Sequence, residues 1–227
     1  IHSSRLLYIF FIVVNIMKSL DLFCGTKSFS KVAEEKGFEC TTLDILEKFN
    51  PTICCDLMDW DYKENPPGYY DVIWASPNCQ TYSCMGGGKH RTKKDMKPKT
   101  DIAKKSDLLL ERTIEIIKYY NPKLYCIENP RALMRYSKHI MELNPIFNEC
   151  SYCKYGFEYM KNTDIFSNIN LNLKKCFYKR KNIINNCHHM TIQGSHNNRQ
   201  RGGVQRVSKE TAYRIPSALI EDILSEL

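Results

Sequence analysis

"SLDLFCGTKSFSKVAEEKGFECTTLDI", residues 19–45, decides the fold. Its opening "SLDLFC" is a short apolar strand that stops at Gly25. "FSKVAEEKG" follows as a helix closed by Gly37, and "FECTTLDI" is a second strand that ends in an acid. Two strands joined by a helix lie parallel, because a tight hairpin cannot connect them. The alternation continues outward. "PTICCDL" (51–57) reads as a third strand, "YYDVIWAS" (69–76) as a fourth and "KLYCIENP" (123–130) as a fifth. Between the last two, residues 106–120 place Leu109, Ile116, Ile117 and Tyr120 near helical spacing, and Asn121-Pro122 stops the helix. The expected fold class is α/β, with a mostly parallel sheet covered on both faces and ligands at the carboxyl ends of its strands.

Chain length and composition fit one domain. The 227 residues can bury a full core, and no internal repeat or low-complexity linker divides them. A formal charge of +8 favours a polyanionic partner. Eleven cysteines, scattered and often inside apolar runs, read as free thiols in a reducing compartment, so an intracellular setting (cytoplasm or nucleus) is expected. "LLYIFFIVV" (6–14) is too short to span a bilayer and no small-residue cleavage site follows it. Met17 reads as the natural start, with residues 1–16 as an upstream segment and 17–227 as the domain. A monomer without membrane attachment is expected.

The strand ends carry the chemistry. Gly25, after Asp21, Phe23 and Cys24, lets the backbone approach a ligand closely. Asp44, about 20 residues on, can hold a ribose diol. Asp56, at the end of the third strand, is placed to meet an adenine edge. "GTKS" has one glycine where a dinucleotide fingerprint has three, so an adenosine ligand without a pyrophosphate fits better. Cys79 follows the fourth strand and Glu128 ends the fifth; neighbouring strands bring thiol and carboxylate to one pocket. Taken alone, each acid is an ordinary cap and Cys79 an ordinary buried thiol; their register makes them a site.

"SLDLFCGTKSFS", "ASPNCQTYS" (75–83) and "IENPRALMR" (127–135), in that order, resemble the DNA cytosine carbon-5 methyltransferase family. They correspond to its cofactor loop, its Pro-Cys nucleophile loop and its Glu-Asn pair. "YRIPSALIEDIL" (213–224) is similar to its last motif, and "YCKYGFEYMKNTDIFSN" (152–168) looks closest to small phage and large-DNA-virus members. The resemblance implies a Rossmann-like S-adenosylmethionine-dependent methyltransferase fold with a small C-terminal extension. It makes S-adenosyl-L-methionine the cofactor and DNA the partner. Cys79 and Glu128 become the catalytic pair, and Asp21, Phe23, Cys24, Gly25, Asp44, Asp56 and Ser76 the cofactor residues. Cys79 would attack carbon 6 of a flipped-out cytosine while Glu128 engages the ring nitrogen. There are departures: Asn78 stands in place of a proline, Lys27 in place of a second glycine, and Lys161 is the one cation where the family has an arginine-rich motif.

Residues 86–105 carry eight Lys or Arg against two acids. Lys89, Arg91, Lys93, Lys94 and Lys97 are the expected phosphate contacts, ordered on binding. The target-recognition region is short, about 167–212, and its basic clusters suit backbone contacts. Cys150, Cys153, Cys176, Cys187, His188 and His189 include a CxxC pair that can hold zinc, but the spacing does not repeat tightly and no metal is expected. Two other functions compete. Methylation of an exocyclic base amine needs a polar-Pro-Pro-aromatic loop that "SPNC" does not supply. A nucleic-acid-binding protein that keeps the fold without turnover would tolerate Asn78 and Lys27.

Overall fold

The computed structural model describes residues 16–83, 87–92, 94–177, 191–192, 206–207, 211 and 213–227. Its centre is a seven-stranded sheet: β1 (Lys18–Leu22), β2 (Glu39–Asp44), β3 (Ile53–Cys54), β4 (Val72–Ala75), β5 (Leu124–Pro130), β6 (Ile146–Ser151) and β7 (Asn162–Ser167). The spatial order is β3-β2-β1-β4-β5-β7-β6. β1 to β5 pair in parallel, whereas β7 runs antiparallel to both β5 and β6. A separate parallel pair joins β8 (Thr191–Ile192) to β9 (Arg206–Val207).

Each buried strand reads as it packs. Val72, Ile73, Trp74 and Ala75 are all fully buried, as a central parallel strand covered on both faces requires. One face meets α1 (Ser28–Glu35) and the C-terminal helix, Ser217–Leu224, called α5 below; Phe29, Val32 and Ala33 meet Leu219, Ile220 and Ile223 there. Burying such side chains stabilises by about 1.5–3 kcal/mol each. The other face meets α3 (Asp101–Tyr120) through Leu110, Ile114, Ile117 and Tyr120. Short helices α2 (Gly87–His90) and α4 (Lys138–Leu143) flank α3 in sequence.

Two elements differ from the sequence reading. α3 begins five residues early: Thr100 caps it by accepting the Ala103 N–H, so the end of the basic stretch is helix rather than loop. The third strand shrinks to two residues because it pairs on one side only, with β2, at the sheet edge. The helix stop is as expected: Asn121 adopts φ 46° and closes α3. The strand order reverses between β1 and β4, and a doubly wound sheet opens its ligand crevice at such a reversal.

Candidate active site

A cleft of about 1030 Å³ opens above the ends of β1, β2, β4 and β5. Asp21, Phe23, Cys24, Gly25, Asp44, Ser76, Cys79 and Glu128 all line it. The sheet register explains the convergence. Leu22 pairs with Leu43 and with Ala75, and Ala75 with Ile127, so the loops that leave these strands share one edge.

The cofactor loop is tightly wound. Phe23, Gly25 and Lys27 all have positive φ, at 59°, 49° and 58°. Gly25 adopts this freely, whereas the two side chains hold a conformation that costs about 1–3 kcal/mol. Lys27 thus keeps the backbone shape a glycine would give. Its ammonium donates to the Asn50 carbonyl, a link between the loop and the far wall that glycine lacks. Asp44 clamps the loop: Oδ2 accepts the Gly25 N–H (3.0 Å) and Oδ1 the Leu46 N–H (2.9 Å). Each carboxylate oxygen retains a lone pair for a ligand hydroxyl. Phe23, Leu46 and Phe49 supply apolar wall beside it. An acid facing the cleft, a glycine without a Cβ and aromatic wall together fit the adenosine part of S-adenosyl-L-methionine.

Asp21 lies deeper, 2% exposed, with Oδ2 accepting the Ser30 N–H at 3.3 Å. Burial pushes its carboxyl up to about 7. Asp56 is not a lining residue. Its Oδ2 takes the Lys105 ammonium at 2.8 Å and its Oδ1 the Met58 N–H. β3 ends two residues before it at the sheet edge, which carries its carboxylate toward α3.

Cys79 sits one turn beyond β4 and is partly exposed. Asn78, before it, accepts the Gln80 N–H at 2.9 Å, so a side-chain bond closes the turn that a proline ring would otherwise stiffen. Asn129 donates to the Pro77 carbonyl at 3.4 Å, tying the loop to β5. Burial and the negative charge of Glu128 push the Cys79 thiol up, while Lys161 pulls it down. Glu128 is 6% exposed; its Oε1 accepts the Tyr152 hydroxyl at 2.8 Å and faces Lys161 Nζ at 3.3 Å. Lys161 is legible in sequence as the one cation in "YMKNTDIF" (159–166); Tyr152 carries no sequence signal beyond its aromatic type.

The C-terminal motif completes the cleft. Tyr213, Arg214 and Ile215 line it, and the Ile215 N–H donates to Ser28 Oγ at the start of α1.

The basic stretch divides. Lys89 and Lys94 are exposed, and Lys97 is mostly so beside Asp95 at 3.0 Å. Lys93 lies outside the described residues. Arg91 corrects the expectation of a phosphate contact: it is 3% exposed. Its guanidinium donates to Asp107 (2.6 Å), to the Thr81 carbonyl and hydroxyl (3.1 Å each) and to the Met96 carbonyl (3.2 Å). It also stacks 3.9 Å over the Tyr82 ring. Its donors are matched inside the fold, so it fastens the stretch to α3 and to the segment after Cys79. Among the described residues no group of three His, Cys, Asp or Glu could hold a metal. Cys187, His188 and His189 lie outside them.

A doubly wound sheet whose switch-point cleft holds an adenosine-type loop and a thiol–carboxylate pair defines a cofactor-dependent group transferase. The chain belongs to the C-5 cytosine-specific DNA methylase family, whose model matches residues 17–202. Enzymes of this family use S-adenosyl-L-methionine to methylate carbon 5 of cytosine in DNA. A curated protein of frog virus 3 (isolate Goorha), named "Probable DNA (cytosine-5)-methyltransferase", is 31% identical over 224 residues, 92% of this chain and 99% of its own. Among solved structures, the Entamoeba histolytica methyltransferase EhMeth aligns at 20% identity with a TM-score of 0.49, over 72% of this chain and 58% of its own. A candidate DNA modification methyltransferase from an E. coli prophage aligns at 15% with a TM-score of 0.47, over 66% and 46%. The chain thus spans about half the length of these two solved proteins.

Proposed function

We propose that this chain methylates carbon 5 of cytosine in DNA with Cys79 as nucleophile and Glu128 as its acid partner. The observation that carries the reading is the register of β4 and β5, which brings the thiol and the carboxylate to the same end of the cleft that Gly25 and Asp44 line. Phe23, Gly25, Asp44 and Ser76 would hold S-adenosyl-L-methionine, with Asp21 beneath. When bound, the cofactor supplies an electrophilic methyl group on a sulfonium. The remaining work belongs to the chain.

Cys79 gives its proton to water in the cleft and its sulfur bonds to carbon 6 of the flipped-out base, while ring electrons move to N3, which takes a proton from Glu128. Carbon 5 becomes nucleophilic and accepts the methyl group. After a base removes the carbon-5 proton, the double bond between carbons 5 and 6 re-forms and Cys79 leaves as thiolate. The N3 proton returns to Glu128. Burial and Glu128 oppose ionisation of the thiol, so the pull of Lys161 toward the thiolate helps both its attack and its departure. Lys89, Lys94 and Lys97 would neutralise phosphates, with Lys93 beside them in sequence. The protein would act as a monomer free of membrane; among the described residues no helix is long and apolar enough to cross one.

Trapping tests the reading. DNA with 5-fluorocytosine at the target has no carbon-5 proton to lose, so with cofactor present the methylated adduct should accumulate on Cys79. Cys79→Ser should abolish it. An adduct on Cys84, which lies outside the described residues, would overturn the assignment. Methylation without any adduct would favour an exocyclic amine as the target.

A further inference from the structure

Glu128 is held by one oxygen. Oε1 accepts the Tyr152 hydroxyl at 2.8 Å and faces the Lys161 ammonium at 3.3 Å, while the residue lines the cleft. The phenol has little freedom. Tyr152 is fully buried where β6 ends, with its ring edge-on to Phe157 at 5.7 Å and Lys161 Nζ 4.6 Å above it. Its N–H donates to the Lys161 carbonyl and its carbonyl accepts the Phe157 N–H, so backbone and ring are both fixed. Burial and the neighbouring Glu128 charge push its hydroxyl far above the ordinary tyrosine range, so it stays a donor at any working pH.

We propose that Tyr152 is the positioning residue of Glu128, fixing Oε1 so that Oε2 faces the cytosine ring and carries the proton exchanged with N3. The inference rests on the reading of Glu128 as the base's partner. Oε1 keeps its capacity to accept whether Glu128 is charged or neutral, more strongly when charged, so the grip persists through the cycle. With Oε1 committed to donors, the exchangeable proton resides on Oε2. Lys161 balances the carboxylate charge but is a flexible point cation; the phenol supplies direction. A buried tyrosine also needs a partner simply to satisfy its hydroxyl, and that structural role predicts the same bond. The two roles separate through coupling.

Tyr152→Phe removes only the hydroxyl and keeps the ring against Phe157 and Lys161. Single-turnover adduct formation on 5-fluorocytosine DNA, at saturating cofactor, is measured for the native protein, Tyr152→Phe, Glu128→Gln and the double variant. Glu128→Gln should slow the step by ~10²–10⁴-fold, the usual worth of positioned acid–base catalysis. Tyr152→Phe should slow it by ~10-fold or more, the loss of a hydrogen bond to a charged group, with cofactor and DNA affinities unchanged. The double variant should be no slower than Glu128→Gln, because the hydroxyl acts only through that carboxyl. A Tyr152→Phe rate equal to native, or a loss that repeats in full on the Glu128→Gln background, would overturn the proposal. Absence of adduct in the native protein would instead remove the catalytic reading, and this inference with it. Should Tyr152→Phe fail to fold, 3-fluorotyrosine at position 152 keeps ring and hydroxyl while strengthening the donor. It should change the native rate and leave the Glu128→Gln rate alone; no change in either would equally overturn the idea.

Discussion

At Cys79 two charges of opposite sign compete over one sulfur. Burial disfavours the thiolate most, Glu128 adds to that effect and Lys161 opposes it. The balance predicts opposite outcomes for two single substitutions in the free protein. Lys161→Met should slow alkylation of Cys79 by iodoacetamide at pH 8, since each tenfold fall in thiolate fraction is a tenfold fall in rate. Glu128→Gln should speed it, although the same change slows base addition. Peptide mapping isolates Cys79 from the other thiols, of which Cys24 and Cys40 are pushed by burial to about 12 and about 11. Alkylation that moves in the same direction in both variants would mean that shielding, not charge, governs the sulfur. Asn78 adds to this local picture. The bond from the Gln80 N–H to its side chain restores turn rigidity at the position where the family motif has proline.

The stretch from Gly87 to Lys105 combines two kinds of cation that composition cannot tell apart. Arg91 is anchored to Asp107 on α3, and Tyr82 also donates to that carboxylate. Lys89, Lys94 and Lys97 around it are exposed. Arg91→Met should therefore behave as a folding mutation. It breaks a buried pair whose remaining carboxylate keeps only the tyrosine, a loss of about 3–5 kcal/mol in urea unfolding. Replacing Lys89, Lys94 and Lys97 together by Gln should leave stability within about 0.5 kcal/mol. It should also flatten the salt dependence of DNA binding by about 0.9 in slope for each phosphate that is no longer neutralised. Equal stability losses in the two variants would contradict this division. A basic segment is plain in the sequence but this split is not, because the partner that claims Arg91 lies sixteen residues on and meets it only after α3 packs. Asp56 escapes for a related reason: whether a strand-end acid faces the cleft depends on how far β3 extends, and that follows from edge pairing rather than local pattern.

Over the whole molecule, the legible part is the run from β1 to β5, where short strand-like stretches, plainest in the apolar VIWA of β4, alternate with helical or turn signals. β6 and β7 are not legible in this way. Their strands carry Asn148 and Asp164 in buried positions, satisfied by distant partners such as Arg135, so their pattern is neither apolar nor cleanly alternating. Tyr152 shares that origin, since it reaches Glu128 across β7 rather than along the chain. The same sheet gives the fold one pH-dependent contribution through Asp21. Its carboxyl, 3.8 in the unfolded chain, rises to about 7 when burial strips it of water. Between those values the native state keeps a proton that the unfolded chain has released, so stability falls as pH rises and levels off above about 7. The full gap is worth on the order of 4 kcal/mol at 1.36 kcal/mol per pH unit. Asp21→Asn has no proton to lose, so the difference between native and variant isolates this one group. In urea unfolding of the cofactor-free protein, the variant should gain about 2–3 kcal/mol on native between pH 5 and pH 8. A constant difference across that range would show that Asp21 is charged in the fold, with water or a cation reaching it at the base of the cleft.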